Sequence, residues 1–214
     1  MALLYQATLT PSKTELLQAW IPGRPWIGDA DVATVEAVGA YRFDDPDGEV
    51  GIETHLLQTA DGQILQVPVT YRGSPLDGAE SSLIATTQHS VLGERWVYDG
   101  CGDPVYVIAL ATAILTGGTQ ADIEFATDSG PQRWETTTLV SGSGAPQSVI
   151  PPVTSVSFSN EGTTSVITAG HLELTVLRVI DSDGEINEHG DTERLVGSWP
   201  GRDSPALLAL ARTT

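Results

Sequence analysis

Residues 89–110 constrain the fold most, because a strand-like run, a tight turn and a helix start follow one another without a linker. Asp99-Gly100 is a turn dipeptide, and in Asp103-Pro104 the aspartate can cap a helix whose first position suits proline. Gly117-Gly118 supplies a stop signal. The segment therefore predicts a strand leading into a largely buried helix over residues 105–116, with no nucleophile, metal cage or phosphate loop.

Residues 32–71 are typical of an antiparallel meander. Strand-like runs at 32–43, 50–58 and 63–71 are separated by Asp47-Gly48 and Asp61-Gly62, dipeptides that support tight hairpin turns.

Three smaller signals complete the first half. Ser12 and Glu15 have capping-box spacing and predict a helix over residues 12–20. Pro68 cannot donate a ladder hydrogen bond, so its run is expected to be an edge strand or to carry a bulge. Residues 90–98 are expected to form one further strand.

Beyond residue 120 the pattern changes. Residues 128–152 are rich in Ser, Gly, Thr and Pro, which predicts a long loop or boundary, with 141–144 as its most flexible piece. Runs at 163–168 and 171–180 predict a hairpin, and a last strand is expected at 195–199. The sequence thus predicts an α+β fold, mainly antiparallel sheet with a few packed helices. A first domain would span 1–120 and a second β-rich segment 121–214, and the two could pack together as one unit.

Charge and cysteine content limit the partners. Ten basic and 28 acidic residues give a formal charge of −18, which repels nucleic acid and anionic lipid surfaces. The single cysteine, Cys101, permits no intramolecular disulfide, which favours a reducing, cytoplasmic setting. The longest apolar stretch, 105–115, is too short to span a membrane, and the N-terminus lacks the basic region of an export signal.

No motif predicts catalysis, a metal or a cofactor. Gly100-Cys101-Gly102 imitates a dinucleotide fingerprint, but Val105 stands where the third glycine is needed. The four histidines are widely separated, and the acidic loop 181–191 lacks the glycine and the final glutamate of a calcium loop.

Aromatic residues beside arginines give a weaker hypothesis. Arg24 with Trp26, and Arg95 with Trp96, would suit a carbohydrate-binding groove if they lay on an exposed surface. Filling of the core is the competing interpretation of these rings.

Several separated motifs resemble the N-terminal cap domain of actinobacterial maltokinases. One motif is the run 89–100 followed by Asp103-Pro104-Val105. The others are Trp20 with residues 24–28, then residues 38–42 and 67–72, and they follow one another in the order found in the cap domain. The resemblance covers about residues 12–118 and implies the cap fold.

A fainter similarity continues into the second half, which resembles a vestigial hairpin of a kinase N-lobe. Thr163, Thr164 and Ser165 resemble the loop before the strand that carries a nucleotide-anchoring lysine, but the matching position is Thr175. A hydroxyl cannot neutralise a phosphate as an ammonium does. The chain also ends at Thr214, where we expect no room for a kinase C-lobe.

The resemblance implies a non-catalytic cytoplasmic interaction or regulatory module, set in trehalose and glycogen metabolism, with another protein as partner. A carbohydrate-binding module for maltose or α-glucan remains an alternative, and so does a residual kinase-like nucleotide binder. No nucleic acid or membrane partner and no cofactor are expected.

Overall fold

The computed structural model describes residues 2–4, 7–127, 130–134, 136–180 and 192–213. The elements of the first half are β1 (Ala2–Leu4), β2 (Leu9–Thr10), α1 (Lys13–Trp20), β3 (Val35–Phe43), β4 (Gly51–Thr59), β5 (Ile64–Arg72), β6 (Leu83–His89), β7 (Gly93–Asp99) and α2 (Pro104–Thr116). Those of the second half are β8 (Ile123–Thr127), β9 (Gly130–Trp134), β10 (Leu139–Gly142), β11 (Ser157–Glu161), β12 (Thr164–Ala169), β13 (Leu172–Leu177), β14 (Val179–Ile180), β15 (Glu193–Trp199) and β16 (Arg202–Thr213).

Three sheets organise these strands. A seven-stranded sheet has the order β2-β6-β7-β5-β4-β3, with β14 also paired to β5. A six-stranded sheet has the order β10-β15-β16-β13-β12-β11, and a small sheet has the order β1-β8-β9. Among the described strands only β1 and β8 pair in parallel. The predicted α+β class with mainly antiparallel sheet is confirmed.

The predicted meander is confirmed as β3, β4 and β5. Gly48 and Gly62 in its two turns have φ angles of 72° and 86°. Glycine reaches this left-handed region without the steric cost that a Cβ imposes, so the Asp-Gly dipeptides set the hairpins.

The prediction for Pro68 is wrong, because β5 lies inside the sheet and pairs with β4 without a register shift. The backbone N–H of Gln66 donates to the carbonyl of Arg178 on the side away from β4. Two residues later the nitrogen of Pro68 faces that same side, after the pairing with β14 ends at Leu65 and before that with β7 starts at Val69. Proline is tolerated there because that position has no ladder bond to lose.

The single strand predicted at 90–98 is only partly right. β7 begins at Gly93, whose φ is 75°, and residues 90–92 form the turn from β6. Residues 83–89 were not predicted as a strand, since mostly exposed and half-buried positions give β6 no alternating hydrophobic pattern.

Both predicted helices are confirmed with their caps. The Ser12 backbone N–H donates to Glu15 Oε2 at 2.8 Å, and the Glu15 N–H donates to Ser12 Oγ at 3.3 Å. At α2 the Asp103 carboxylate accepts from the Val105 N–H at 2.9 Å, and Gly117 ends the helix with a φ of 70°.

Residues 128–152 are not one long loop, because they include β9 and β10. The predicted flexibility of 141–144 is also wrong. A Cβ at Gly142 would lie 2.0 Å from the Ala113 carbonyl oxygen, and a Cβ at Gly144 would lie 2.0 Å from that of Leu115. These glycines permit close packing on the end of α2.

The seven-stranded sheet is covered on both faces. α1 packs on one face, where Leu16 and Leu17 join Val67 and Val69 of β5 in a buried cluster. On the other face, buried residues of α2 share a core with residues of both halves, including Tyr41, Leu56, Leu110, Leu174 and Leu208. Side chains from both sides of residue 120 therefore fill one core, and the domain boundary predicted there stays a prediction. No helix in the described part of the chain is long and apolar enough to cross a membrane.

Candidate functional site

A cavity of about 480 Å³ opens on the face of the seven-stranded sheet that carries α1. Its charged and polar lining comes from α1, β3, β4, β5, β6 and β7 and includes Lys13, Arg42, Glu53, Tyr71, His89 and Arg95. This volume lies within the range of small-molecule sites in proteins.

Glu53 is the centre of the polar lining. It is 8% exposed and is paired with the ammonium group of Lys13, and Arg42 lies directly across from it in the β3–β4 ladder. His55, two residues along β4 and 7% exposed, has its Nε2 3.6 Å from Glu53 Oε2 and 3.4 Å from the Tyr71 hydroxyl. Lys13 also lies 5.5 Å from the centre of the Tyr71 ring. Three elements thus converge on one carboxylate.

Burial and charge act against each other on these groups. Burial raises the pKa of Glu53, but attraction by His55, in the protonated form that it takes at low pH, and by Lys13 and Arg42 outweighs burial and lowers that pKa to about 2. Burial lowers the pKa of His55 below 6.5, and Lys13 and Arg42 add to this effect against the attraction of Glu53. Glu53 is therefore ionised and His55 neutral at pH 7.

Two arginines of the lining keep unused donors. The Nε atoms of Arg42 and Arg95 are buried, and neither makes a hydrogen bond to the described residues. Arg95 is anchored by Nη2, which donates to the Leu92 carbonyl at 2.8 Å. The cavity lining thus contains two guanidinium groups that do not use all of their donors within the described residues.

The acidic turn beside the cavity stabilises itself. The Asp45 carboxylate accepts from the backbone N–H groups of Asp47, Glu49 and Val50 at 3.1, 3.0 and 2.9 Å. Asp44 and Glu49 are exposed. Within the described ranges no three His, Cys, Asp or Glu side chains are placed to hold a metal ion, and the acidic loop 181–191 lies outside those ranges.

The structure does not place the four predicted carbohydrate-binding residues on one exposed surface. Trp26 is 1% exposed with the guanidinium of Arg178 over its ring, so it cannot stack on a sugar, and the prediction is wrong for this residue. Arg24 lies over the ring of Trp20. Arg95 lines the cavity, whereas Trp96 is half-buried on β7 and does not line it.

The predicted hairpin forms as β12 and β13, but its hydroxyl groups do not form one site. Ser165 is fully buried, accepts from Arg178 Nε at 2.7 Å and donates to Asn160 at 2.7 Å. Thr175 pairs with Val166, the neighbour of Ser165, so the side chains of Ser165 and Thr175 lie on opposite faces of the sheet.

The other two hydroxyl residues of the predicted loop are at the turn. Thr163 is exposed and its carbonyl accepts from the N–H groups of Arg178 and Val179, while the Thr164 hydroxyl donates to the Glu161 carbonyl at 2.9 Å. Both therefore serve the turn itself.

Sequence reasoning missed Lys13, Arg42, Glu53, His55 and Tyr71. A signal for them exists: the only lysine of the chain begins α1, and the ionisable residues Glu53 and His55 stand at alternate positions of an otherwise mostly buried strand. Buried ionisable residues on one face of a strand need partners, which indicates a polar cluster.

The fold and cavity define the chain as a mainly antiparallel α+β protein with a charged, ligand-sized cavity on one sheet. Residues 20–103 match the family model of the maltokinase N-terminal cap domain, which confirms the resemblance found in the sequence. The match includes Arg42, Glu53, Tyr71 and Arg95 of the cavity, whereas Lys13 lies before it.

Of two further comparisons, one finds no match and the other finds a structure of low sequence identity. A search of curated proteins finds no match. A solved structure of a glucosamine kinase in complex with glucosamine, ADP and inorganic phosphate is similar, with 14% sequence identity and a TM-score of 0.47. The alignment covers 96% of this chain and 41% of the kinase, so the chain spans about two fifths of that protein's length.

Proposed function

We propose that the chain is a non-catalytic interaction or regulatory module related to the maltokinase cap, acting in the cytoplasm in trehalose and glycogen metabolism. The observation that carries the proposal is the arrangement of the β12–β13 hairpin, where the residues that resemble a nucleotide site have other roles. The family match over residues 20–103 supports the relation to the cap.

The hairpin lacks the electrostatics that phosphoryl transfer needs. A kinase positions an ammonium group against the phosphates of the nucleotide. Thr175 brings a neutral hydroxyl to the matching position, and it lines a small cleft together with Glu173 and Arg212, which form an ion pair at 2.8 Å. Ser165, on the other face, is committed to the buried guanidinium of Arg178.

Nucleotide binding and maltose phosphorylation test the non-catalytic role. We expect no heat on titration with MgATP and no maltose phosphate above background, with a maltokinase assayed alongside as the positive control. The matched variant is Thr175→Glu, which adds negative charge at this position. Phosphorylation by the purified chain that this substitution abolishes would contradict the proposal.

Light scattering of mixtures tests the interaction role. The formal charge of −18 favours a partner with a basic surface, so a complex with a maltokinase or another enzyme of trehalose or glycogen metabolism should weaken as salt rises. If no such enzyme changes in mass or activity when the chain is added, an interaction role in this metabolism is wrong.

Carbohydrate binding at the cavity is a second candidate. Its lining combines charged hydrogen-bonding groups with the Tyr71 ring, which is the mixture that sugar hydroxyls and sugar faces require. Calorimetry with maltose, trehalose and glycogen tests it, and a Tyr71→Ala variant serves as the matched negative control.

A further inference from the structure

We propose that the cavity on the α1 face is a binding site for a small oxyanion, the phosphate or carboxylate group of a metabolite, held by Arg42, Arg95 and Lys13. The site lies in the cap-like half, and the inference goes beyond the proposed function without depending on it.

The unused guanidinium donors are the first argument. A buried N–H group without an acceptor lowers the stability of the folded state, so a ligand that supplies the acceptor gains from pairing it. The Nε atoms of Arg42 and Arg95 are two such donors at one cavity. The fork of a guanidinium group matches the oxygens of a carboxylate or phosphate.

The charge balance of the buried lining is the second argument. Lys13, Arg42 and Arg95 contribute three positive charges, and Glu53 is the buried carboxylate that faces them. Asp45 accepts three backbone N–H bonds, and the remaining carboxylates of the lining, Asp44 and Glu49, are exposed to water. Three of the four carboxylates of the lining thus belong to the turn between β3 and β4, whereas the three cations lie on α1, β3 and β7, where Glu53 is the lining carboxylate that shares the sheet with them.

His89 lies near two of these cations. Burial is the main cause that lowers its pKa, and the positive charges of Arg95 and Lys13 lower it further. Its Nδ1 accepts from the backbone N–H groups of Val91 and Leu92 at 3.2 and 3.0 Å, which holds the ring at the cavity. Arg42, Arg95 and Lys13 are therefore the groups of the lining that can hold an anion by charge.

The size and the walls of the cavity indicate more than a bare ion. A volume of about 480 Å³ has room for a group attached to the oxyanion, and Leu9 and Leu92 are apolar residues of its lining. Gly73 leaves room for the guanidinium of Arg95, because a Cβ there would lie 2.6 Å from Arg95 Nη1.

Calorimetry with three probes of similar carbon skeleton tests the proposal: glucose 6-phosphate, glucuronate and glucose. We expect heat of binding with at least one of the two anions, weakening as salt rises, and none with glucose at the same concentration. The stronger of the two anions identifies phosphate or carboxylate as the natural group. Equal binding of all three probes, or binding of none, would overturn the proposal.

Variants locate the site on the intact chain. Arg95→Gln and Arg42→Gln should each reduce anion affinity at least tenfold, while the control Arg212→Gln, at an exposed ion pair outside this cavity, should leave it unchanged. If a variant fails to fold, Arg95→Lys, which keeps the charge and loses the fork, should still weaken binding severalfold. Unchanged affinity in the folded cavity variants would refute the site. Neither result alters the test at Thr175, so the two proposals fail separately.

Discussion

Two buried arginine environments in this chain contrast sharply. Arg178 is fully buried, and its Nη2 donates to both carboxylate oxygens of Asp99 at 2.7 and 2.6 Å. Arg42 and Arg95 instead line an open cavity and retain unpaired Nε groups. Although Nη1 of Arg178 also lacks a hydrogen bond to the described residues, its guanidinium lies over Trp26 and its charge is matched by a carboxylate at contact distance. A neutralised arginine inside the core connects structural elements, whereas arginines at a cavity with spare donors are available to a ligand.

The joint at Arg178 connects the two halves of the chain. Asp99 ends β7, Ser165 belongs to β12, and Arg178 follows β13. A second joint supports the start of α2, where Arg72 Nε and Nη2 donate to the Asp103 carboxylate at 2.7 and 2.6 Å and Thr70 donates at 2.6 Å. The conspicuous residues of the segment 89–110 therefore have structural roles.

Breaking the Arg178 joint should have the largest effect. Arg178→Met leaves Asp99 buried without its counter-ion, and we expect the free energy of unfolding in urea to fall by about 3–5 kcal/mol. The control Arg212→Gln removes a half-exposed ion pair on the surface and should cost about 1 kcal/mol or less. Equal losses in the two variants would contradict the contrast between joint and surface.

Acid should lower the free energy of unfolding through the ionisable groups around the cavity. The pKa of Glu53 falls from 4.5 to about 2 in the folded chain, so its contribution is present above pH 4.5 and disappears as the pH falls towards 2. That contribution is on the order of 3 kcal/mol. The lowered pKa of His55 adds an earlier loss that begins as the pH falls below 6.5. Urea unfolding between pH 7 and pH 3 measures both effects, and Glu53→Gln should reduce the loss below pH 4.5; an unchanged pH dependence in that variant would refute the assignment.

Two glycine substitutions compare a position packed against backbone with one packed against a flexible side chain. In Gly142→Ala the new Cβ meets the backbone carbonyl of Ala113, so we expect a loss of about 1–3 kcal/mol or more in unfolding free energy. In Gly73→Ala the Cβ meets only the flexible end of Arg95, and the loss should stay below about 1 kcal/mol. The reverse order would show that the surroundings of Gly73 are as tightly packed as the end of α2.

A small effect is also expected at the first turn of α1. Ser12→Ala removes the hydroxyl half of the capping box and should lower the unfolding free energy by about 1 kcal/mol. Because Lys13 keeps its ion pair with Glu53, anion affinity should change less than twofold. A larger loss of affinity would mean that the cap itself positions the ammonium group.

Local signals were enough for much of the fold. The Asp-Gly turns, the capping box at Ser12 and the Asp103-Pro104 helix start each depend on a few adjacent residues, so the sequence predicts them directly. Pro68 and residues 141–144 were misread because their environment is set by distant segments, namely β14 beside β5 and the end of α2 beside Gly142. The unpredicted strand β6 has no alternating hydrophobic pattern because few of its residues are buried.

The cavity was largely beyond sequence reasoning for the same reason. Lys13 and Glu53 are forty positions apart, and only the packing of α1 on β4 and β5 brings them together. Arg95 was singled out for its neighbour Trp96, yet in the structure it lines the cavity with residues of other strands. Residue types alone could indicate buried charge on β4, but they could not indicate which cations meet it.

The position of Lys13 outside the matched segment has a practical consequence. Trimming the chain to residues 20–103 would remove the helix that carries this ammonium group. Glu53 would then remain in the sheet without its ion-pair partner. Low stability or an altered ligand preference of such a fragment would result from the truncation itself. Truncated variants of the protein should therefore begin before Ser12.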